Sequence, residues 1–227
     1  MGTAAATGRS LWKDYGLTVV LAVLVALAIR AFLIEAYRIP SPAMRPSLEP
    51  GDTIFVAKFP FGLRIPGTSV PFTSGRMPEI GEVVIYTQAG DPPRDSIRRV
   101  VALPGQNVQI QAGRVKVDGR ELSEGVPKDK PCGEESAGTP ARWTVCWEQP
   151  LLEDLAPTRV PEGSVFVLGD SRTQTPESRR VPQWEMVPVA RIKGKALWIW
   201  LSIQPPLSGN PHPLFSRIRF ERMFRRI

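Results

Sequence analysis

Residues 17–34 read LTVVLAVLVALAIRAFLI, an 18-residue run that is apolar apart from Thr18 and Arg30. As a helix it would extend about 27 Å, close to the ~30 Å hydrocarbon thickness of a bilayer. Thr18 can return its hydroxyl proton to a helix carbonyl, and Arg30 lies one turn from the far end, where it can reach the headgroups. Tyr15 and Tyr37 flank the run as interfacial residues do. A buried core helix would show an amphipathic stripe, and none is visible. A cleaved secretory signal remains an alternative to an anchor. Arg9 and Lys13 precede the run, and Ala26-Leu27-Ala28 has the small-x-small form of a cleavage site. The same two basic residues place the N-terminus in the cytoplasm, although Arg30, Arg38 and Arg45 dilute the asymmetry.

Beyond this run the signal changes from helix to strand. Thr53–Ala57, Glu82–Tyr86 and Arg99–Leu103 are short and β-branched, bounded by Gly, Pro or Asp. Val108–Gln111 alternates, meets Ala112-Gly113, resumes at Val115–Val117 and meets Asp118-Gly119, which predicts two hairpin turns. Gly163–Leu168 and Lys195–Ile203 complete the set. With 24 Pro and 19 Gly among 227 residues, the chain is turn-rich without a low-complexity period. The expected fold is mostly β: a single transmembrane helix, then an antiparallel, sheet- or barrel-like domain, closed or nearly so. The expected layout is a cytoplasmic N-terminus (1–14), an anchor (15–37), a β core (38–118 and 161–204), an inserted cap (119–160) and a basic C-terminal segment (205–227).

The cap has few strand signals and carries both cysteines, Cys132 and Cys146. Outside the cytoplasm they could close a disulfide loop of about 15 residues, stabilising by up to ~3 kcal/mol. Two buried thiols are the other reading. Two cysteines cannot form a structural zinc site alone, and a lone histidine, His212, argues against a His-based triad or a multi-His metal centre. No metal or cofactor is expected. The net charge of +7 invites a nucleic-acid partner, but no RNP pattern, zinc finger or base-reading helix accompanies it. The five arginines within 217–226 read as a solvated or headgroup-facing surface.

Four stretches occur in order: Ile39-Pro-Ser-Pro-Ala-Met-Arg-Pro-Ser-Leu48, Gly51-Asp-Thr-Ile-Phe-Val-Ala-Lys58, Ile97-Arg-Arg-Val-Val-Ala-Leu-Pro-Gly105 and Gly169-Asp-Ser-Arg-Thr-Gln-Thr-Pro-Glu-Ser-Arg179. Together, after an N-terminal apolar run, they resemble the boxes of type I signal peptidases over about residues 12–227. The resemblance implies a membrane-tethered Ser/Lys-dyad endopeptidase on a β scaffold, acting at the outer face of the cytoplasmic membrane on signal peptides of exported proteins. It therefore favours an uncleaved anchor, and a dyad needs no histidine.

The dyad chemistry needs a serine hydroxyl beside a lysine whose burial lowers its pKa, so that the neutral amine accepts the proton. The family's nucleophilic serine stands immediately before the methionine, and here that position is Ala43. The family's base lysine precedes the arginine of a Lys-Arg pair, and here that position is Arg98, followed by Arg99. A methyl group has no attacking oxygen, and guanidinium stays protonated. Loss of one such member costs on the order of 10⁴–10⁶ in rate. The resemblance carries over Ser41 as an oxyanion-hole residue and Thr175 as the base-orienting hydroxyl. It also carries over Asp170, Arg172, Glu177 and Arg179 as bracing groups, with Glu177 and Arg179 an ion pair. Arg38, Pro40, Met44, Val83 and Ile85 match a cleft that binds an extended peptide by strand addition.

Ser41 and Ser47 are candidate substitute nucleophiles. A two-residue strand offset moves an atom by roughly 6–7 Å, which works against both. Lys58 reads as a solvated strand-end residue. Phe55, Phe59, Phe61 and Leu63 read either as core or as a lip against the bilayer. The further departures at Ser171, Thr173, Gln174 and Thr175 read as drift across the whole site rather than one designed Ser→Ala change. Expected partners are signal peptides, the bilayer and an active signal peptidase paralogue.

Overall fold

The computed structural model describes residues 8–63, 73–90, 92–123, 130–138, 140–148, 153–173, 184–205 and 214–227. Helix α1 spans Gly8–Phe32, and no residue from Tyr15 to Phe32 is buried. It is long and apolar enough to cross a membrane, and its lack of packing removes the core-helix reading. Lys58 closes its C-terminal end. The Lys58 amine donates to the Ala31 carbonyl at 3.4 Å and pairs with Glu35 at 2.9 Å, placing a cation at the negative end of the helix dipole. Lys58 is therefore tied to the helix end rather than freely solvated.

The chain then turns directly into strand. In order come β1 (Ile34–Arg38), β2 (Asp52–Ala57), β3 (Val83–Gln88), β4 (Arg94–Ala102), β5 (Asn107–Gln111), β6 (Arg114–Val117) and β7 (Arg120–Glu121). They are followed by β8 (Cys132–Glu135), β9 (Trp143–Cys146), β10 (Leu155–Arg159), β11 (Ser164–Leu168), β12 (Trp184–Pro188) and β13 (Ile192–Ser202). One antiparallel sheet has the order β1-β2-β13-β3-β4-β11-β12, a second β10-β5-β6-β7, and β8 pairs with β9. The expected mostly β architecture with an N-terminal apolar helix is present. The large sheet does not close into a barrel, because β1 and β12 are its two ends among the described residues.

Both predicted hairpin turns form. Ala112 and Gly113 have φ of 49° and 74°, and Asp118 and Gly119 have φ of 49° and 83°, as two-residue turns of type I′ require. The 119–160 segment is more ordered than its composition suggests. Cys132 and Cys146 are disulfide-bonded and face each other across β8 and β9, while β10 pairs with β5 from the outside.

Strand alternation distributes the core. On β3, Val83 and Ile85 join Met44, Leu48 and Ile97 on one face of the large sheet. Val84 and Tyr86 join Val100, Val165, Val167 and Val187 on the other. Position 98 belongs to this second face, and positions 97 and 99 to the first.

Candidate active site

Ile39 and Asp52 close the base of an excursion from the sheet. The Ile39 amide donates to the Asp52 carbonyl at 2.8 Å, and the Gly51 amide donates to the Ile39 carbonyl at 2.9 Å. Gly51 (φ 93°) sits so close to the Ile203 carbonyl that a β-carbon would lie 2.0 Å from its oxygen, so only glycine fits. Within the loop, Pro42–Met44 form a single 3-10 turn capped by Ser41, whose φ/ψ of −120°/155° is extended. The Pro42 ring suits the first position of such a turn. Met44 and Leu48 are driven into the core, which pins the turn and leaves Ala43, at its middle position, 6% exposed.

The turn carrying Ala43 packs against β4, the strand carrying Arg98. Arg98 is 3% exposed, and its Nη1 donates to the Ile97 carbonyl at 2.7 Å. Burial pulls its guanidinium pKa down, opposed by Tyr86, Glu185 and Asp170. The next residue, Arg99, turns to the opposite face. Its Nε and Nη2 grip Asp170 at 2.8 and 2.6 Å, and it also donates to the Gly81 carbonyl at 2.7 Å and the Ser47 hydroxyl at 3.2 Å. Ser47 therefore serves as a partner of Arg99.

The Gly169–Arg172 segment is stitched to both neighbours. The Ser171 amide donates to the Ala43 carbonyl at 3.1 Å. The Cys146 amide donates to the Asp170 carbonyl at 3.0 Å, and the Arg172 amide to the Cys146 carbonyl at 2.8 Å. Arg172 is wholly buried in a bidentate pair with Glu135, Nη1 to Oε1 at 2.8 Å and Nη2 to Oε2. Trp143 Nε1 donates to the same carboxylate at 3.2 Å, while the Trp143 ring lies 5.5 Å from the Arg99 guanidinium. Asp170 is thus held by Arg99, and Arg172 by Glu135. Thr175, Glu177 and Arg179 lie outside the described residues, as do Gln174 and His212.

The peptide-cleft set divides. Met44, Val83 and Ile85 come together on the first core face and are buried. Arg38 and Pro40 are exposed and, with Ile39, Pro50, Gly51 and Pro205, line a cleft of about 370 Å³. Tyr37, beside them on β1, has its phenol pKa pushed up by burial and by the carboxylates of Glu35 and Asp95. Of the aromatic stretch, Phe61 is core and Phe59 is exposed.

Two parts of the brace were not anticipated. Glu135 and Trp143 become predictable once Cys132 is placed opposite Cys146 in a hairpin, because the same register sets Glu135 opposite Trp143. Arg219 and Arg222 are not headgroup-facing. Arg219 reaches Asp52 Oδ1 at 3.0 Å and Arg222 reaches Asp52 Oδ2 at 2.7 Å, while both also pair with Glu49. Burial opposes ionisation of Asp52, but the bonds from Arg222, the Glu49 amide and Ser202 outweigh it and hold the carboxyl below its usual range. A buried Asp52 carboxylate beside the partly exposed Glu49 would be unstable without a cation, and this requirement pulls the C-terminal arginines inward. Among the described residues no three His, Cys, Asp or Glu side chains converge as metal ligands would.

An apolar helix thus feeds an antiparallel β domain in which a strand-end turn, a buried cation on β4 and the Gly169–Arg172 segment meet at one place. A family-wide sequence profile described as signal peptidase, peptidase S26, matches residues 12–201. Signal peptidase I of Pseudomonas aeruginosa is 31% identical over 222 residues, covering 90% of this chain and 78% of that one. Signal peptidase I of Bacillus licheniformis is 31% identical over 162 residues, covering 71% and 74%. A crystal structure of a signal peptidase I from Enterococcus faecalis aligns with 53% of this chain and 97% of that one, at 21% identity and a TM-score of 0.34. The chain belongs to the signal peptidase family, peptidase S26.

Proposed function

We propose that this protein is held in the cytoplasmic membrane by α1, with its N-terminus inside and its β domain outside, and that it binds signal peptides of exported proteins without cleaving them. The observation that carries this reading is the pair of side chains at the two dyad positions. Ala43 offers a methyl group, and Arg98 offers a cation that cannot accept a proton near neutral pH. The lysines of β2's end and β13 do not replace the base. Lys58 pairs with Glu35 at 2.9 Å, Lys193 with Asp95 at 2.7 Å and Lys195 with Glu82 at 2.7 Å.

Peptide binding has a physical basis in the strand edges. Among the described residues β4 pairs with β11 only from Arg99 onward and β1 ends the sheet, so both offer backbone groups for an added extended strand. Arg38 and Pro40, both exposed beside β1, are the residues expected to flank that strand, with Met44, Val83 and Ile85 supporting it from the buried face beneath. A protein of this kind could present signal peptides to an active paralogue in the same membrane.

A second reading is an active peptidase that uses Ser41. Its hydroxyl makes no capping bond to the turn that holds Ala43, which leaves it available. The detergent-solubilised chain, incubated with a preprotein whose signal peptide carries a photo-crosslinker, separates the two. Crosslinking without cleavage supports binding alone, and cleavage abolished by Ser41→Ala supports the second reading.

A further inference from the structure

Arg98 sits on a sheet face built mainly of Val and Ile, with Phe61 and Tyr86 among them. The registers Arg98↔Val84, Val100↔Val167 and Val167↔Glu185 place Glu185 of β12 on that same face, two strands away. Tyr86 of β3 stands there too, one step along from Val84 and fully buried. Two opposite charges and a phenol therefore share one apolar cluster with Val84, Val100, Val165 and Val167. Glu185 Oε2 and the Tyr86 hydroxyl are shielded from solvent and make no well-formed hydrogen bond, although they lie close enough for the carboxylate to push the phenol pKa up. An anionic oxygen in that state needs a nearby cation to remain charged.

We propose that Glu185 is the counter-charge of position 98: it stabilises a permanent cation there, so that even a lysine at this position would remain protonated beside Ala43. The inference deepens the reading of a site that binds without cleaving, and rests on Arg98 occupying the base position. The groups facing Arg98 among the described residues are Tyr86 from β3, Glu185 from β12 and Asp170 after β11. Asp170 is already held by Arg99, and the Tyr86 phenol is pushed up by burial, so it is neutral. Among the described residues Glu185 is the facing carboxylate that forms no ion pair of its own. It acts through space, since no direct ion pair joins it to Arg98. A single opposite charge in a desolvated site moves a pKa by a unit or more.

The test uses the full chain in detergent with selectively ¹³C-labelled lysine. The Arg98→Lys variant is titrated by NMR with and without Glu185→Gln, and the resonance absent from the wild type reports the introduced amine. The proposal expects its midpoint to fall by one pH unit or more when Glu185→Gln is added. Equal midpoints overturn it. If Arg98→Lys does not fold, urea unfolding of a cycle built on Arg98→Gln and Glu185→Gln decides. Glu185→Gln should shift the folding equilibrium at least tenfold more in the wild type than in the Arg98→Gln background, and additive effects overturn the proposal. Cleavage of a preprotein by the wild-type chain would instead count against the functional reading and leave the titration result in force.

Discussion

The Ser171 amide donates to the Ala43 carbonyl at 3.1 Å, joining the segment that carries Asp170 and Arg172 to the turn that carries a methyl group at the nucleophile position. The turn and the Gly169–Arg172 segment are thus held together around Ala43. Arg99–Asp170, Arg172–Glu135 and the Cys132–Cys146 hairpin all converge on this junction. Their separate contributions can be measured.

Asp170→Ala should destabilise the β domain by about 3–5 kcal/mol, because among the described residues it leaves the buried Arg99 guanidinium with only the Gly81 carbonyl and Ser47 as polar partners. Chemical denaturation of the variant against the wild type measures this. A loss below ~1 kcal/mol would show that solvent reaches Arg99.

Replacing Cys132 and Cys146 together by serine should cost up to ~3 kcal/mol through the lost loop constraint. The larger local effect should fall on the Arg172 amide, which donates to the Cys146 carbonyl at 2.8 Å. Hydrogen exchange should quicken there more than at Val167 on β11. Uniform quickening would mean that the hairpin acts on global stability alone.

The Asp52 cluster predicts an acid limit. Its folded-state pKa lies below the unfolded value of about 3.9, so its contribution is fully present above that value. It is lost as pH falls through the depressed folded pKa. Urea midpoints from pH 6 down to pH 2 should fall steeply below about pH 4, and Asp52→Asn should flatten that limb while lowering stability at pH 6.

Ala43→Ser or Arg98→Lys alone should give no measurable cleavage of a preprotein, since either missing member of such a unit costs about 10⁴-fold or more. The pair together, with Glu185→Gln added, is the combination expected to cleave, with activity rising as the introduced amine loses its proton. A product-formation assay across pH 6–10 reports this. Equal activity with and without Glu185→Gln at every pH would remove Glu185 from the account.

Much of the scaffold could be read from local signals. The apolar run, the Gly-bounded strands and the Ala112-Gly113 and Asp118-Gly119 turns each depend on residues close in sequence. β1 was hidden because Ile34 continues the apolar run, and only pairing with β2 opposite Ala57 makes it a strand. β10 contains Pro157, which suits a strand at the end of its sheet and weakens its local signal. The charged partnerships were the hardest to foresee. Arg172 finds Glu135 from 37 residues away, and Arg222 finds Asp52 from 170. Composition marked Arg219 and Arg222 as surface residues, but the need to neutralise buried Asp52 drew them in. Glu185 gave no signal of its own, because only the three-strand register puts it on the face of Arg98.

The central claim is that a site with Ala43 and Arg98 can hold a signal peptide but cannot hydrolyse it. The most direct measurement follows a radiolabelled preprotein, reconstituted with the purified full chain in lipid vesicles, for the shorter mature product. The account predicts no product above the protein-free control while the preprotein still co-sediments with the vesicle-bound chain. Mature product that accumulates with time and disappears in the Ser41→Ala variant would contradict it.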